Sequence, residues 1–181
     1  MVFKPYFKVQ NGPQPLIVSC RRRVRLDEVD ALGIVWHGRY ASYLEDGREE
    51  MGWRYGLSYI EFKEAGAVLP IRSIQIDYLT PLRYMEEFTV ETALHWHEAA
   101  RLNMEYKVYN GDGQLATRGC SVQMMVDLEG NLLLEAPAFY RDFQRRWRLG
   151  EIEGESAPEP RPARDLGTPP LLRRRTAPTG H

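Results

Sequence analysis

Residues 39–55 read RYASYLEDGREEMGWRY, and this stretch decides the fold. Its apolar side chains, among them Tyr40, Leu44 and Met51, recur near the 3.6-residue spacing of a helix, with charged residues between them. Gly47 falls on the apolar side of that helix, where the small residue permits a close backbone contact. The pattern predicts one long helix that buries an apolar face against the rest of the protein.

Predicted strands lie on both sides of this helix in the sequence. Alternation of polar and apolar residues predicts one strand before it and four after it, at residues 18–26, 71–78, 87–96, 102–110 and 115–128. The turn at residues 110–113, Asn-Gly-Asp-Gly, is typical of a β-hairpin. A second, short helix is predicted after Pro137. One helix followed by an antiparallel meander predicts an α+β protein whose sheet wraps around the long helix, the hot-dog fold.

The chain of 181 residues divides unevenly into a folded body and two flanking segments. Residues 150–181 contain six of the twelve prolines and no aromatic residue, so they are predicted to form a disordered tail. Residues 1–18 are rich in Pro and Gly and are predicted to be a loose lead-in. The folded domain is therefore expected at residues 19–149, which is long enough for one core.

Composition excludes several classes of protein. A net charge of −1 provides no electrostatic drive toward nucleic acid, and no apolar run approaches the roughly 18–20 residues that cross a bilayer. The first residues lack the features of a secretory signal, and Cys20 and Cys120 are too far apart for a disulfide framework or a zinc site. His95 and His97 share a strand face but lack a third metal ligand nearby. We therefore expect a reduced, cytoplasmic, soluble protein without metal or cofactor.

The residues that carry chemistry lie at 25–43, RLDEVDALGIVWHGRYASY, between the first strand and the long helix. A carboxylate at Asp30 would lie close to the helix start, where backbone N–H groups lack partners. Such N–H groups can hold the oxygen of an acyl carbonyl under attack. The carboxylate beside them can act as nucleophile or as general base for water. The alternative is that Asp27 or Asp30 only caps a turn or the helix.

This stretch resembles the 4-hydroxybenzoyl-CoA thioesterase family of hot-dog acyl-CoA thioesterases. The resemblance rests on the string Asp30-x-x-Gly33-Ile34-Val35-Trp36-His37-x-x-Tyr40 and extends more weakly over residues 20–147. It is greatest with the bacterial members of the family that are associated with the Tol–Pal cluster. It implies that Asp30 is the catalytic carboxylate and that the backbone N–H of His37 holds the thioester oxygen. It also implies that Gly33 lets the thioester approach the backbone, with Val35 and Trp36 beside the substrate.

A CoA thioester also needs cationic or polar partners for its phosphates. Arg72 and Ser73, near the start of the second strand, and Arg101, near the start of the fourth, are candidates by charge and position. Arginine suits this role because its guanidinium group contacts phosphate in a bidentate manner. The alternative is that they are ordinary exposed residues of the strands.

The sequence therefore predicts an acyl-CoA thioesterase that hydrolyses a fatty or aromatic acyl-CoA to the free acid and CoA. A non-catalytic hot-dog module that binds acyl chains remains as the alternative, and a dehydratase is disfavoured because its acid and histidine stand in a different strand–helix context. The resemblance implies a homodimer or homotetramer with each active site at a subunit boundary. Long sheet edges that need covering favour the same assembly.

Overall fold

The computed structural model describes residues 4–8 and 11–152 of the chain. The strands and helices follow in the order β1 Leu16–Arg23, α1 Tyr40–Tyr55, α2 Tyr59–Glu64, β2 Ala67–Val68, β3 Ile71–Tyr78, β4 Glu87–His95, β5 Arg101–Tyr109, β6 Leu115–Met124, β7 Val126–Asp127 and α3 Ala138–Arg148. The predicted tail lies outside the described residues from residue 153 onward. None of the helices in the described ranges is long and apolar enough to span a membrane.

Five strands form one antiparallel sheet in the order β1-β4-β5-β6-β3, with α1 packed on its inner face. Alternate residues of β4 and β5 point toward the helix and are fully buried, as shown by Val90 paired with Val108 and Leu94 paired with Met104. Burial of this apolar face is the main force that holds the sheet around the helix. The predicted α+β hot-dog fold is thereby confirmed.

Gly47 lies at a point of close approach between α1 and the sheet. The residue is buried, and a Cβ at this position would overlap the side chains of Thr92 and Val90 on β4. Any larger residue would push the helix away from the strand. The close contact predicted from the sequence is thus present.

The predicted boundaries of the first strand are wrong at both ends. β1 begins at Leu16, within the predicted lead-in, because Leu16 and Val18 are both buried in the core. It ends at Arg23, since the chain then enters a 3-10 turn at Leu26–Glu28 that leaves the sheet. The described part of residues 1–18 therefore contributes to the fold.

The predicted strand at 115–128 is interrupted, and a helix is present that the sequence analysis did not predict. Met125, the residue between β6 and β7 in the chain, is fully buried. β7 then pairs with β2 in a separate two-stranded sheet. The extra helix, α2, begins after Ser58, whose hydroxyl accepts the N–H of Ile60. The carboxylate of Glu61 accepts the Ser58 N–H at 2.9 Å, so a capping box starts this helix.

Residues 4–8 cross the outer face of the sheet. The Tyr6 hydroxyl donates to Asp77 on β3 at 2.6 Å and accepts from Arg118 on β6 at 2.9 Å, while the Phe7 ring lies 5.2 Å from that of His95. Burial raises the pKa of Tyr6 to about 12, and the hydrogen bond from Tyr6 lowers the pKa of Asp77. Asp77 is therefore a partner of this N-terminal segment.

Candidate active site

A tight turn places Asp30 at the mouth of a cleft. The N–H of Asp30 donates to the Ile34 carbonyl at 2.9 Å, and the N–H of Gly33 donates to the Asp30 carbonyl at 3.0 Å. Gly33 has φ of +73°, a left-handed conformation that favours glycine. Gly33 is thus explained by the geometry of the turn, and its predicted contact with substrate stays a prediction.

Glu28 anchors this loop to the long helix. The buried carboxylate of Glu28 accepts hydrogen bonds from the Tyr43 hydroxyl at 2.9 Å and from the Arg25 N–H at 2.7 Å. The backbone carbonyl of Glu28 accepts a hydrogen bond from the Trp36 N–H. Burial, together with the hydrogen bond to Glu28, raises the pKa of Tyr43. This role of Glu28 was not predicted, because the contact spans 15 residues of chain and depends on how the loop folds back.

The cleft itself has a volume of about 340 Å³. Its walls are mainly apolar, with one carboxylate and one imidazole, and they are formed by Asp30, Ile34, Val35, His37, Tyr40, Tyr78, Leu79, Thr80 and Pro81. A cleft with apolar walls and a few convergent polar groups is typical of a site for a small organic ligand. The structure therefore brings together three of the predicted site residues: Asp30, Val35 and His37.

The Asp30 carboxylate uses one oxygen for structure. Its Oδ1 accepts the N–H of Leu32 at 2.8 Å, so the turn-capping alternative describes this oxygen correctly. Within residues 4–8 and 11–152, no donor contacts the other oxygen, Oδ2. Asp30 can therefore cap its turn and still present an unshared oxygen to a ligand.

The turn that precedes α1 contributes His37 to the cleft wall, and Gly38 follows it in the chain. A 3-10 turn at His37–Arg39 runs directly into α1, and the carbonyl of His37 accepts the N–H of Tyr40. Across the described part of the chain, the N–H groups of His37 and Gly38 donate to no protein acceptor. Unpaired N–H groups at a helix start carry partial positive charge and favour an oxygen that is becoming negative.

Two tyrosines, Tyr40 and Tyr78, also line the cleft. The Tyr78 hydroxyl donates to the carbonyl of His37 at 3.0 Å, and the rings of Tyr78 and Tyr40 meet edge-on with centroids 5.1 Å apart. The Tyr40 hydroxyl accepts the N–H of Leu82 at 3.3 Å. Tyr78 was not among the predicted site residues, since only the pairing of β3 with β6 brings it to the helix start.

Trp36 lies beside the cleft rather than in its wall. Its side chain is 49% exposed, and its ring centroid is 5.1 Å from that of His37. It also lies against Gly38, where a Cβ would overlap the indole ring. Its predicted contact with substrate stays a prediction.

Arg72, Ser73 and Arg101 lie at the far end of the sheet from the cleft. Ser73 pairs with Val122 and Arg101 pairs with Met124, both near the end of β6. Tyr78 follows Ser73 by five positions on β3, which corresponds to about 17 Å along a strand. Within one chain these three residues do not line the cleft, and their role in phosphate binding stays a prediction.

The histidines considered as metal ligands have other surroundings. His95 Nε2 lies 3.2 Å from Glu105 on the outer face of the sheet, whereas His97 follows β4 and its Nδ1 accepts the N–H of Ala99. Burial lowers the pKa of His97. The described residues contain no group of three or more His, Cys, Asp or Glu side chains that could hold a metal ion.

Comparison with known proteins places the chain in a family. The sequence pattern of the thioesterase-like superfamily matches residues 24–147, which include the whole cleft. The chain belongs to the thioesterase-like superfamily. This membership confirms the predicted hot-dog fold and the predicted class of thioester hydrolases.

Individual members of the thioesterase-like superfamily agree with this assignment. YneP of Bacillus subtilis, whose name assigns it to the acyl-CoA thioesterases, is 32% identical over 106 residues, covering 59% of this chain and 77% of YneP. The chloroplast acyl-acyl carrier protein thioesterase ATL3 of Arabidopsis thaliana is 30% identical over 103 residues, covering 55% of this chain and 54% of ATL3.

A solved structure supports the same fold. The DHNA-CoA thioesterase of Staphylococcus aureus superimposes with a TM-score of 0.65 at 23% identity, covering 76% of this chain and 97% of the other. At that identity the likeness concerns the fold alone. The substrate of this thioesterase-like protein must therefore be inferred from its own cleft.

Proposed function

We propose that this protein hydrolyses a fatty or aromatic acyl-CoA to the free acid and CoA. The observation that carries the proposal is that one cleft is lined by both Asp30 and His37. Among the described residues, Oδ2 of Asp30 has no donor and the N–H of His37 has no acceptor. A thioester carbonyl supplies what both lack, namely an electrophilic carbon for the carboxylate and an oxygen for the N–H groups. The name of YneP supports a CoA thioester as substrate.

In this mechanism the His37 N–H donates a hydrogen bond to the thioester carbonyl oxygen, and Asp30 is the nucleophile or the general base. An Asp30 oxygen either attacks that carbon, forming an anhydride that water then hydrolyses, or removes a proton from a water that attacks. In both routes the C–S bond breaks, the CoA sulfur leaves and gains a proton, and one water is consumed. The residues of the cleft suffice for these steps without a metal or an organic cofactor.

The phosphates of CoA are proposed to lie toward Arg72, Ser73 and Arg101. The side chains of Arg72 and Ser73 are exposed and that of Arg101 is partly exposed, all at one end of the sheet. A long substrate that extends along β3 from the cleft would reach this end. Replacement of a single arginine there would therefore raise KM for acyl-CoA more than it lowers kcat.

We further propose the Tol–Pal-associated type for this chain and a cytoplasmic location. The string from Asp30 to Tyr40, with histidine at position 37, supports the type. Cys20 and Cys120 are both free thiols, in keeping with a reducing compartment.

Hydrolysis across a panel of acyl-CoAs tests the proposed reaction. Release of free CoA thiol should be measured with aliphatic chains of several lengths and with aromatic acyl groups such as benzoyl. We expect turnover of at least one class well above the uncatalysed rate, because the carboxylate and N–H groups are already in place. Tight binding of acyl-CoA without any release of thiol would instead identify a non-catalytic binding module.

We also propose that two or four copies of the chain assemble, with β3 at the contact. β3 is an edge strand that is exposed on both faces, and its apolar side chains Ile71, Ile74 and Tyr78 are 47%, 44% and 51% exposed. A long apolar edge of this kind attracts a further strand. Tyr78 lies on this edge and in the cleft wall, so a second copy would approach the active site.

Light scattering at micromolar concentration should therefore give the mass of a dimer or tetramer. Ile74→Lys, which places a charge on the exposed edge, should shift the protein toward monomer. Leu149→Lys, at a similarly exposed apolar residue after α3, is the matched control and should keep the mass unchanged. A monomeric mass for the unmodified protein would contradict both the assembly and an active site shared between subunits.

A further inference from the structure

The hydroxyl of Tyr78 has no part in the mechanism above, yet it contacts the turn that begins α1. It donates to the carbonyl oxygen of His37 at 3.0 Å, and the same carbonyl accepts the N–H of Tyr40. The Tyr78 ring is itself held by its edge-on contact with the Tyr40 ring. Through Tyr78, β3 thus contacts one particular peptide group.

That peptide group joins His37 to Gly38, and its planarity couples its two ends. In a trans peptide the carbonyl and the following N–H point in opposite directions within one plane. Hydrogen bonds that fix the His37 carbonyl therefore also fix the direction of the Gly38 N–H. Because the carbonyl accepts two hydrogen bonds, the amide is polarised and its N–H becomes a stronger donor.

We infer, on the basis of the proposed function, that the Gly38 N–H is a second donor to the thioester oxygen and that Tyr78 is the positioning residue that aims it. Among the described residues no acceptor is available to this N–H, and it is adjacent in the chain to the His37 N–H. Two adjacent donors suit an oxyanion, which accepts more than one hydrogen bond. The loss of one such donor typically lowers kcat by about 10²–10³-fold.

Tyr78→Phe tests the positioning role, because it retains the ring that packs on Tyr40 and removes only the hydroxyl. We expect kcat to fall about 10-fold, since the Gly38 N–H remains but is less well aimed. Affinity for an acyl-CoA thioether, in which CH2 replaces the thioester carbonyl, should stay within about 2-fold, because this analogue has no oxygen for the N–H groups. Tyr84→Phe is the matched control: Tyr84 is 48% exposed and does not line the cleft, so both values should stay unchanged.

Gly38→Pro and Gly38→Ala test the donor itself. Both place a Cβ against the Trp36 ring, but only proline removes the N–H, and proline is accepted in the first turn of a helix. We expect kcat of Gly38→Pro to be about 10²-fold below that of Gly38→Ala. Adding Tyr78→Phe to Gly38→Pro should lower kcat by less than 2-fold further, because the donor it aims is already absent.

Three results would overturn the inference. They are a normal kcat in Tyr78→Phe, an equal loss from Tyr78→Phe with and without Gly38→Pro, and equal kcat in Gly38→Pro and Gly38→Ala. If circular dichroism shows that Gly38→Pro is unfolded, Tyr78→Phe alone tests the inference. Its kcat must then fall while its affinity for the thioether stays unchanged. If the unmodified protein hydrolyses no acyl-CoA, the proposed function is refuted as well. If it is active and Tyr78→Phe leaves kcat unchanged, only this inference is refuted.

Discussion

Asp30→Asn should lower kcat for thioester hydrolysis by about 10²-fold or more, the scale of a lost nucleophile or general base. The amide oxygen can still accept the Leu32 N–H, so the turn at Asp30–Gly33 should persist. Only the charge and basicity of the second oxygen are lost. The measurement is kcat from CoA thiol release, beside the affinity for the acyl-CoA thioether, which should stay close to normal because this analogue has no carbonyl group on which Asp30 acts.

Two variants act as controls for Asp30→Asn. Asp27→Asn makes the same chemical change three residues earlier, at a side chain that is 57% exposed and paired with Arg25 outside the cleft wall, so kcat should stay within about 3-fold. His37→Ala should be milder than Asp30→Asn, because alanine retains the backbone N–H assigned to the thioester oxygen. Near-normal kcat in Asp30→Asn would refute the mechanism even though the hot-dog fold stands.

Phe62→Ala should lower the free energy of unfolding by about 3–5 kcal/mol, the cost of removing a fully buried aromatic ring. Phe62 is fully buried on α2, and its ring centroid lies 4.9 Å from that of Phe139 and 5.7 Å from that of Tyr140 on α3. Its removal leaves a cavity between the two short helices. Urea unfolding at one fixed protein concentration measures the change, since assembly would make stability depend on concentration.

Ile60→Ala is the matched control for Phe62→Ala. It truncates an apolar side chain on the same short helix, but Ile60 is 63% exposed and the change should stay within about 0.5 kcal/mol. A loss below 1 kcal/mol for Phe62→Ala would contradict the packing of α2 against α3. Because neither residue lines the cleft, kcat of the folded fraction should be unaffected in both variants.

Elements whose signal is local were predicted well from the sequence. The long helix was expected at 39–55 and lies at Tyr40–Tyr55, because its buried residues recur at the three- to four-residue spacing that favours a helix. The hairpin after β5 was expected at residues 110–113, where Gly113 has φ of +75° and the Asn110 side chain accepts the Gln114 N–H. These features depend on neighbours in the chain and on little else.

Elements that depend on tertiary contacts were predicted less well. α2 has six residues, too few to show a helical repeat, and only its capping box at Ser58 and Glu61 could have revealed it. The division of 115–128 into β6 and β7 follows from the pairing of β7 with β2, a partner distant in sequence. β1 extends to Leu16 because the core buries that residue, which composition alone did not show.

The sequence by itself determined the chemistry of one side of the cleft. Asp30, Val35 and His37 lie within eight consecutive residues of one loop, so their types and spacing predict their meeting before any long-range contact is known. The opposite side was decided only by the tertiary structure. Tyr78 reaches the His37 carbonyl because β3 pairs with β6 in the register that sets Tyr78 against Thr117, and a shift of one residue would turn its side chain to the other face of the sheet.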